Sequence, residues 1–260
     1  MLFFKLLTQT AGIVFIAMIL LWLLSLRLRN ASIVDIFWGS GFVLLAWLYF
    51  LQAPSNPAAR AVIVIALVTI WGLRLSLHIF WRNRGKGEDF RYAAWRKEAG
   101  EKWWWQSFLK VFLLQGVLLM IISAPLLVAL RSASPDYLTW LDFAGIALWS
   151  IGFFFEAVGD WQLTRFKSRP QNKGKLLTDG LWRYTRHPNY FGDAMIWWGY
   201  FLLAASAGGW WTIFSPVLMH YLLLKVSGVA MLEKTLSHTK PGYEEYIATT
   251  NAFLPWSARK

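Results

Sequence analysis

Residues 176–193 read LLTDGLWRYTRHPNYFGD, and this segment leads directly into a long apolar stretch. If Pro188 takes the first position of the next helix, His187 becomes its N-cap, and the unpaired amides of the first turn face the arginines before it. Such a helix start is a ready site for an anionic group. An interfacial belt explains the aromatic rings and arginines, but not Asn189 and Asp193, which lie one turn apart at the membrane side.

The composition is that of a membrane protein. Of the 260 residues, 57% are hydrophobic and 15% charged, whereas soluble domains average about 25% charged residues. The sequence has no cysteine, which excludes disulfides and thiolate catalysis, and its four histidines are too scattered for a metal site. The net charge of +12 lies mostly in short loops between apolar runs, so membrane topology explains it better than nucleic-acid binding does.

Apolar runs long enough to cross a bilayer predict an all-α, polytopic membrane protein that forms a single domain over residues 1–260. The seven predicted transmembrane helices are residues 6–26, 33–51, 61–81, 108–130, 140–160, 190–207 and 210–230. The connections at 82–107 and 161–188 are predicted as long loops, and a polar tail follows residue 231.

The distribution of basic residues predicts the orientation of these helices. Twenty Lys and Arg lie on the side of the two long loops and the C-terminal tail, against Lys5, Arg60 and Arg131 on the other side. By the positive-inside bias the loops and the C-terminus are cytoplasmic and the N-terminus is outside. We therefore expect a multi-pass protein of a bacterial inner membrane.

Ionisable side chains inside membrane spans are costly and usually line a cavity or pair with one another. Here they are Asp35, Arg74, His78, Glu156, Asp160, Asp193 and Lys225. Three pairs of polar residues share a helix face because each is spaced by four: Arg74 with His78, Glu156 with Asp160, and Asn189 with Asp193. A structural ion-pair cluster would also use such residues, but the common level of these side chains favours a polar pocket open to the cytosol.

The residues of the neighbouring loops indicate which kind of ligand that pocket could bind. Their cations, among them Lys167, Arg183 and Arg186, suit several phosphates, and Tyr184 offers a ring for stacking. Carboxylates such as Asp160 suit ribose hydroxyls or a carboxamide. A dinucleotide fits this set of groups, but no GxGxxG follows a strand, so the site is not a Rossmann domain.

Four segments together carry a resemblance to a known family. They are LLTDGLWRYTRHPNYFGD at 176–193, NASIVDIFWG at 30–39, WGLRLSLHIFWRNRGKGEDFRY at 71–92 and PGYEEYIATTNAFLPW at 241–256. The chain resembles the bacterial branch of the steroid 5α-reductase family. The GLWRYTRHPNY core is also similar to the isoprenylcysteine and phospholipid methyltransferases, a sister group that binds S-adenosylmethionine.

The resemblance implies a seven-helix membrane reductase that takes NADPH from the cytosol and reduces the carbon–carbon double bond of an enone lipid, such as a steroid. The cofactor-binding half covers approximately residues 140–260. The residues implied to bind NADPH are Asp160, Lys167, Asn172, Tyr184, His187, Asn189 and Asp193, with Arg183, Arg186 and Glu156 as neighbours.

The substrate site departs from the family pattern. Animal members of the family hold the ketone with a Glu in the second span and a Tyr in the third; this chain offers Asp35 in the second span and no Tyr in the third. Arg74, His78 and Tyr92 are the other candidates. Our hypothesis is that Asp35 donates to the ketone oxygen if its apolar surroundings keep it protonated, with Tyr92 and His78 as competitors.

Two other functions remain open at this point. A methyltransferase would share the fold and the core motif, although the tail carries a lone Glu233 in MLEK instead of paired glutamates. A seven-span transporter or receptor could also carry intramembrane charges, but it would commonly show repeats and a midplane site. The expected partners are a hydrophobic small-molecule substrate and membrane lipids, with no nucleic acid; the sequence indicates no particular protein partner.

Overall fold

The computed structural model describes residues 2–53, 58–226 and 228–257, and within these ranges the regular structure is helical, without a β-strand. The α-helices are α1 (Leu2–Leu28), α2 (Ile33–Leu51), α3 (Ala59–Asn83), α4 (Phe90–Ala99), α5 (Trp103–Ser107), α6 (Leu114–Ile122), α7 (Ala124–Arg131), α8 (Trp140–Lys167), α9 (Pro188–Ser206), α10 (Phe214–Tyr221), α11 (Val229–Thr239) and α12 (Tyr243–Thr249). Two π-helical segments, Phe108–Leu113 and Leu222–Val226, continue the helices next to them. The predicted all-α class is confirmed.

Six helical stretches among the described residues are long and apolar enough to cross a membrane. They are Leu6–Leu28, Ile33–Leu51, Ala59–Asn83, Phe90–Ile122, Trp140–Lys167 and Trp210–Thr239. The sixth predicted span, residues 190–207, is a helix (α9) but is not among these six stretches, since polar and aromatic side chains dilute its apolar content. The predicted last span, 210–230, includes Ser227, which lies outside the described residues.

The two predicted long loops and the predicted C-terminal tail contain more helix than the sequence indicated. The predicted loop 82–107 contains α4 and α5, so the fourth span continues a helix that begins at Phe90. The predicted loop 161–188 is shortened because α8 runs on to Lys167. The predicted polar tail after residue 231 contains most of α11 and all of α12. The first two segments were predicted as loops and the third as a polar tail, because their charged residues obscure any apolar periodicity.

The chain divides into two compact units, Met1–Tyr137 and Leu138–Lys260. In the first unit, α2 and α3 approach closely at two glycines: a methyl group on Gly39 would collide with the backbone of Gly72. The hydroxyls of Tyr49 and Ser123 hydrogen-bond over 3.0 Å and connect α2 to the turn between α6 and α7. Small residues at helix crossings and polar pairs between helices are the usual means of holding membrane helices together.

The second unit is built on α8 and α9, which run antiparallel. Gly145, Gly152 and Gly159 of α8, spaced by seven, face Gly199, Gly192 and Pro188 of α9 in turn. At one end of this pair, the Ser206 hydroxyl donates to the buried Asp142 carboxylate over 2.5 Å. Because glycines line this contact, the two backbones approach closely. The close packing also holds Asp160 and Asn189 in place at the opposite end of the helix pair.

Candidate functional site

The first unit holds a polar cluster around Asp35, which lies in the first turn of α2. The Tyr92 hydroxyl donates to Oδ1 of Asp35 over 2.7 Å, and Nη2 of Arg91 donates to Oδ2 over 3.0 Å. The Gln115 amide lies 3.4 Å from Oδ1 of Asp35 and 3.3 Å from the Tyr92 hydroxyl. Two of the predicted catalytic residues, Asp35 and Tyr92, are therefore in direct contact, and both Asp35 oxygens accept hydrogen bonds.

The segment before α4 places Arg91 and Tyr92. Asp89 is the N-cap of α4, and its side chain accepts from the Arg91 amide over 3.0 Å and from Arg91 Nε over 2.8 Å. The Asp89 amide in turn donates to the Ser32 hydroxyl, just before α2. Burial raises the pKa of the Asp89 carboxyl, but the hydrogen bonds and charge of Arg91 outweigh it and hold the pKa below its usual value.

A second ion pair fastens the same segment to the start of α2. Glu88 accepts from the Arg96 guanidinium over 2.8 Å at each oxygen and from the Ala31 amide over 2.6 Å. Arg–carboxylate pairs that meet through two parallel hydrogen bonds are geometrically specific. The GEDFRY segment therefore covers the beginning of α2 and brings Tyr92 to Asp35.

The other two predicted catalytic residues, Arg74 and His78, lie one turn apart on α3 and are partly buried. Their common helix face agrees with their spacing in the sequence.

The second unit contains all ten of the predicted cofactor-binding residues. The helix start predicted from the sequence is confirmed, because α9 begins at Pro188 with His187 as its N-cap. The Asn189 side-chain amide donates to Asp160 of α8 over 3.1 Å, which joins two of the predicted residues. Asp160 is only 6% exposed and Glu156, one turn earlier on α8, 3%. Asp193, the fourth acid or amide of this group, is partly buried on α9.

Arg186 and His187 bind the protein itself. Arg186 is 7% exposed and forms an ion pair of 2.7 Å with Glu233 of α11. Nε2 of His187 lies 3.2 Å from the same Glu233 carboxylate, and its ring stacks on Tyr190 with the centroids 5.6 Å apart. Nη1 of Arg186 also donates to the carbonyls of Ile247 and Thr250. The Arg186 guanidinium thus serves as an anchor for the C-terminal segment.

Further hydrogen bonds bind residues 182–186 to that C-terminal segment. The Thr185 hydroxyl donates to the Phe253 carbonyl over 2.9 Å, and the Trp256 amide to the Tyr184 carbonyl over 3.0 Å. The Tyr246 hydroxyl donates to the carbonyl of Trp182. Together with the Arg186 contacts, these bonds hold the core motif against residues 246–256.

The remaining predicted cofactor residues lie nearer the surface. Lys167 ends α8 and is exposed, and Tyr184 is 46% exposed. Asn172 is partly buried, and its amide donates to the Phe166 carbonyl over 3.0 Å near the end of α8. Arg183 is exposed and lines a cleft of about 350 Å³ together with Glu245. Lys167 and Arg183 are thus exposed cations near the core motif, whereas Arg186 is buried against Glu233.

Three residues of these clusters were missed as site candidates in the sequence. Arg91 adjoins Tyr92 in the quoted GEDFRY segment, and Gln115 is a polar residue in the middle of an apolar run, so both carried a signal. Glu233 was noted only as a lone tail glutamate, although it contacts both Arg186 and His187.

Comparison with known proteins identifies the family. A family model described as a protein of unknown function, DUF1295, matches residues 21–250. An uncharacterized protein of Schizosaccharomyces pombe is 26% identical over 266 residues, a match that covers 90% of this chain and 75% of the yeast protein. No solved structure is significantly similar. The chain belongs to the DUF1295 family, a family of the steroid 5-alpha-reductase/methyltransferase-like superfamily.

Proposed function

We propose that this protein is a membrane reductase that transfers a hydride from NADPH to the carbon–carbon double bond of an enone lipid, of the steroid type. The observation that carries the proposal is the 2.7 Å hydrogen bond between Tyr92 and Asp35 in a largely apolar unit. Reduction of an enone requires a donor at the carbonyl oxygen, where negative charge develops. A tyrosine has a single hydroxyl hydrogen, so Tyr92 becomes the donor to the ketone when this hydrogen turns from Asp35 to the substrate. The family resemblance implies an acid and a tyrosine at the ketone.

The arrangement favours Tyr92 over Asp35 as the donor to the substrate. Both oxygens of Asp35 accept hydrogen bonds, from Tyr92 and from Arg91, so Asp35 acts as the residue that orients them. Tyr92 is only 5% exposed, so water competes little for its hydroxyl. Removal of one such donor typically lowers the turnover number about 100-fold or more.

The second unit has side chains whose chemistry matches the parts of NADPH. Exposed Lys167 and Arg183 suit its phosphates, exposed Tyr184 suits stacking, and the Asn189–Asp160 pair suits hydroxyl or carboxamide groups. We assign Arg186 and His187 to holding this region in shape, because both contact Glu233. When bound, NADPH supplies the hydride; the residues of this chain position it and exclude water.

The test is oxidation of NADPH by the purified protein in lipid nanodiscs with a panel of enone lipids, including 3-oxo steroids with a conjugated double bond. Tyr92→Phe should lower the turnover number about 100-fold. Tyr137→Phe is the matched control, since Tyr137 lies in the same unit but is 67% exposed. Equal turnover by Tyr92→Phe and the wild type would remove Tyr92 from the reaction, and failure with every enone would refute the reductase.

The second candidate is an S-adenosylmethionine-dependent methyltransferase of the isoprenylcysteine or phospholipid type. The observation in its favour is the contact of Glu233 with the core motif, because a tail glutamate at this motif also suits a cationic methyl donor. Thermal unfolding with NADPH and with S-adenosylmethionine separates the two functions. Stabilisation by S-adenosylmethionine alone would favour the methyltransferase.

We also propose that α9 crosses the membrane as a seventh span, with the N-terminus outside and the C-terminus in the cytoplasm of a bacterial cell. Its 19 residues reach about 28 Å, close to the thickness of the hydrocarbon core. The strong asymmetry of basic residues supports this orientation. Reporter fusions at the two ends test it, since seven spans place the termini on opposite sides and six place them on the same side.

A further inference from the structure

Gln115 is the one polar side chain in the apolar run 111–122 of the first unit. It lies in α6, which directly follows the π-helical segment Phe108–Leu113. Polar residues within membrane helices are kept where they bind a partner, and π-helical turns occur frequently at functional sites. Its polarity within an apolar helix and its position after a π-helical segment both mark Gln115 as a candidate functional residue.

The distances distinguish the Gln115 contacts from the rest of this cluster. Nε2 of Gln115 lies 3.3 Å from the Tyr92 hydroxyl and 3.4 Å from Asp35, whereas Tyr92 and Asp35 are 2.7 Å apart. The usual range for an N–H···O bond is about 2.7 to 3.2 Å, so both Gln115 bonds are long. A long bond is given up at little cost when a better acceptor arrives.

The hydrogen bonds of the cluster indicate which of its groups can donate to a ligand acceptor. A ketone oxygen only accepts, so the site must offer it an N–H or O–H. The Tyr92 proton is directed at Asp35, and the Arg91 bonds reach Asp35 and Asp89. The Gln115 amide carries two N–H groups and is the donor that can turn to a ligand without breaking the Tyr92–Asp35 bond.

Asp35 also fixes which end of the Gln115 amide faces the cluster. If the amide were turned over, its carbonyl oxygen would face the Asp35 carboxylate, which only accepts when ionised. The N–H end therefore points inward.

We propose that Gln115 donates a hydrogen bond to the carbonyl oxygen of the substrate and makes the site selective for ketones. This inference rests on the proposed function, because it names how that same site recognises its substrate. Gln115 donates to the ketone when the substrate binds, while Tyr92 keeps its bond to Asp35. During reduction the Tyr92 hydrogen turns to the ketone oxygen, and Arg91 remains bonded to Asp35.

The experiment measures ligand binding without NADPH, so that it does not depend on reduction. Wild-type protein in nanodiscs is titrated with a saturated steroid ketone and with the same skeleton lacking the ketone oxygen, and binding to empty nanodiscs is subtracted. Gln115→Met keeps the length of the side chain but removes its donors. It should weaken ketone binding about threefold to tenfold, the worth of one hydrogen bond, and leave binding of the deoxygenated skeleton unchanged.

Gln106→Met is the matched control. Gln106 lies in α5 and accepts a hydrogen bond from Lys110, away from the cluster. It should bind both ligands as the wild type does. Gln115→Leu, which also removes both donors and suits the apolar run, should show the same loss of ketone binding if Gln115→Met does not fold.

Three outcomes overturn the inference: unchanged ketone binding by the Gln115 variants, equal weakening of both ligands, or a wild type that binds neither. Ketone binding that depends on Gln115 in a protein that oxidises no NADPH would instead refute the reductase and support the inference.

Discussion

Asn189 of α9 donates to Asp160 of α8 over 3.1 Å, at the end of the helix pair opposite to the Asp142–Ser206 contact. Each end of the α8–α9 pair is thus closed by a buried acid from α8 and a neutral polar residue from α9. Asp142 is fully buried and also accepts from the Thr139 amide and hydroxyl, which makes it a structural cap. Asp160 lies beside the core motif, which we propose binds NADPH.

The two acids should therefore respond differently to the same substitution. Asp142→Asn loses charge-assisted hydrogen bonds at a buried site and should lower the free energy of unfolding by about 1 to 3 kcal/mol. Asp160→Asn still offers an oxygen to Asn189, so it should change stability less but weaken NADPH binding about threefold to tenfold. Thermal unfolding and NADPH titration of both variants check this. Loss of stability without loss of NADPH affinity in Asp160→Asn would make Asp160 structural.

The anchor formed by Arg186 predicts that the C-terminal segment depends on Glu233. Glu233→Gln removes the charge partner of a guanidinium that is only 7% exposed. Because the Glu233 side chain is 23% exposed, we expect the free energy of unfolding to fall by about 1 to 3 kcal/mol, less than on breaking a fully buried pair. Limited proteolysis should then cut α12 faster, since Arg186 holds the Ile247 and Thr250 carbonyls.

Glu244→Gln is the control for this experiment, because Glu244 is an exposed acid of α12. It should melt and be cleaved like the wild type. If Glu233→Gln were cleaved at the wild-type rate, the carbonyl and backbone bonds alone would hold the segment.

Close approach of α8 and α9 makes Gly152 sensitive to a single added methyl group. A Cβ there would lie 2.8 Å from the Ile196 amide nitrogen, and backbone cannot move away as a flexible side chain can. Gly152→Ala should therefore lower stability by about 1 to 3 kcal/mol or more, measured as thermal unfolding in detergent.

In Gly12→Ala, the matched control on α1, the methyl group meets no atom within 4 Å. It should melt at or above the wild-type temperature, because alanine favours helix. Equal melting of both variants would contradict the α8–α9 packing.

The parts of this fold that the sequence predicted are those determined by local rules. The start of α9 followed from Pro188, whose missing amide hydrogen and fixed φ suit the first helical position. The long apolar helices followed from the length and composition of their segments. By contrast, α4 has no apolar stripe, since FRYAAWRKEA mixes charged and aromatic residues, and it was predicted as loop.

The contacts of the two clusters could not be predicted, because they join residues far apart in the chain. Asp35 and Tyr92 are 57 positions apart and Asp35 and Gln115 80 positions, and no periodicity in a single sequence connects them. Arg186 was predicted to bind phosphate because a cation in this motif suits an anion. The partners of Arg186 within the protein include main-chain carbonyls, which every residue carries and which no sequence pattern marks.

The cap of α4 predicts a stability difference that depends on pH. The folded pKa of Asp89 lies below its unfolded value of about 3.9, so its contribution is fully present above that value and is lost as the pH falls through the folded pKa. Asp89→Ala should therefore melt lower than the wild type at pH 7, by the equivalent of about 0.5 to 2 kcal/mol for a lost N-cap. The gap between the two melting temperatures should narrow as the pH falls below about 4, because protonation removes the same interactions with Arg91. Asp136→Ala, an exposed acid of the same unit, should show no gap. A gap for Asp89→Ala that stays constant with pH would mean that the carboxylate charge contributes nothing to the cap.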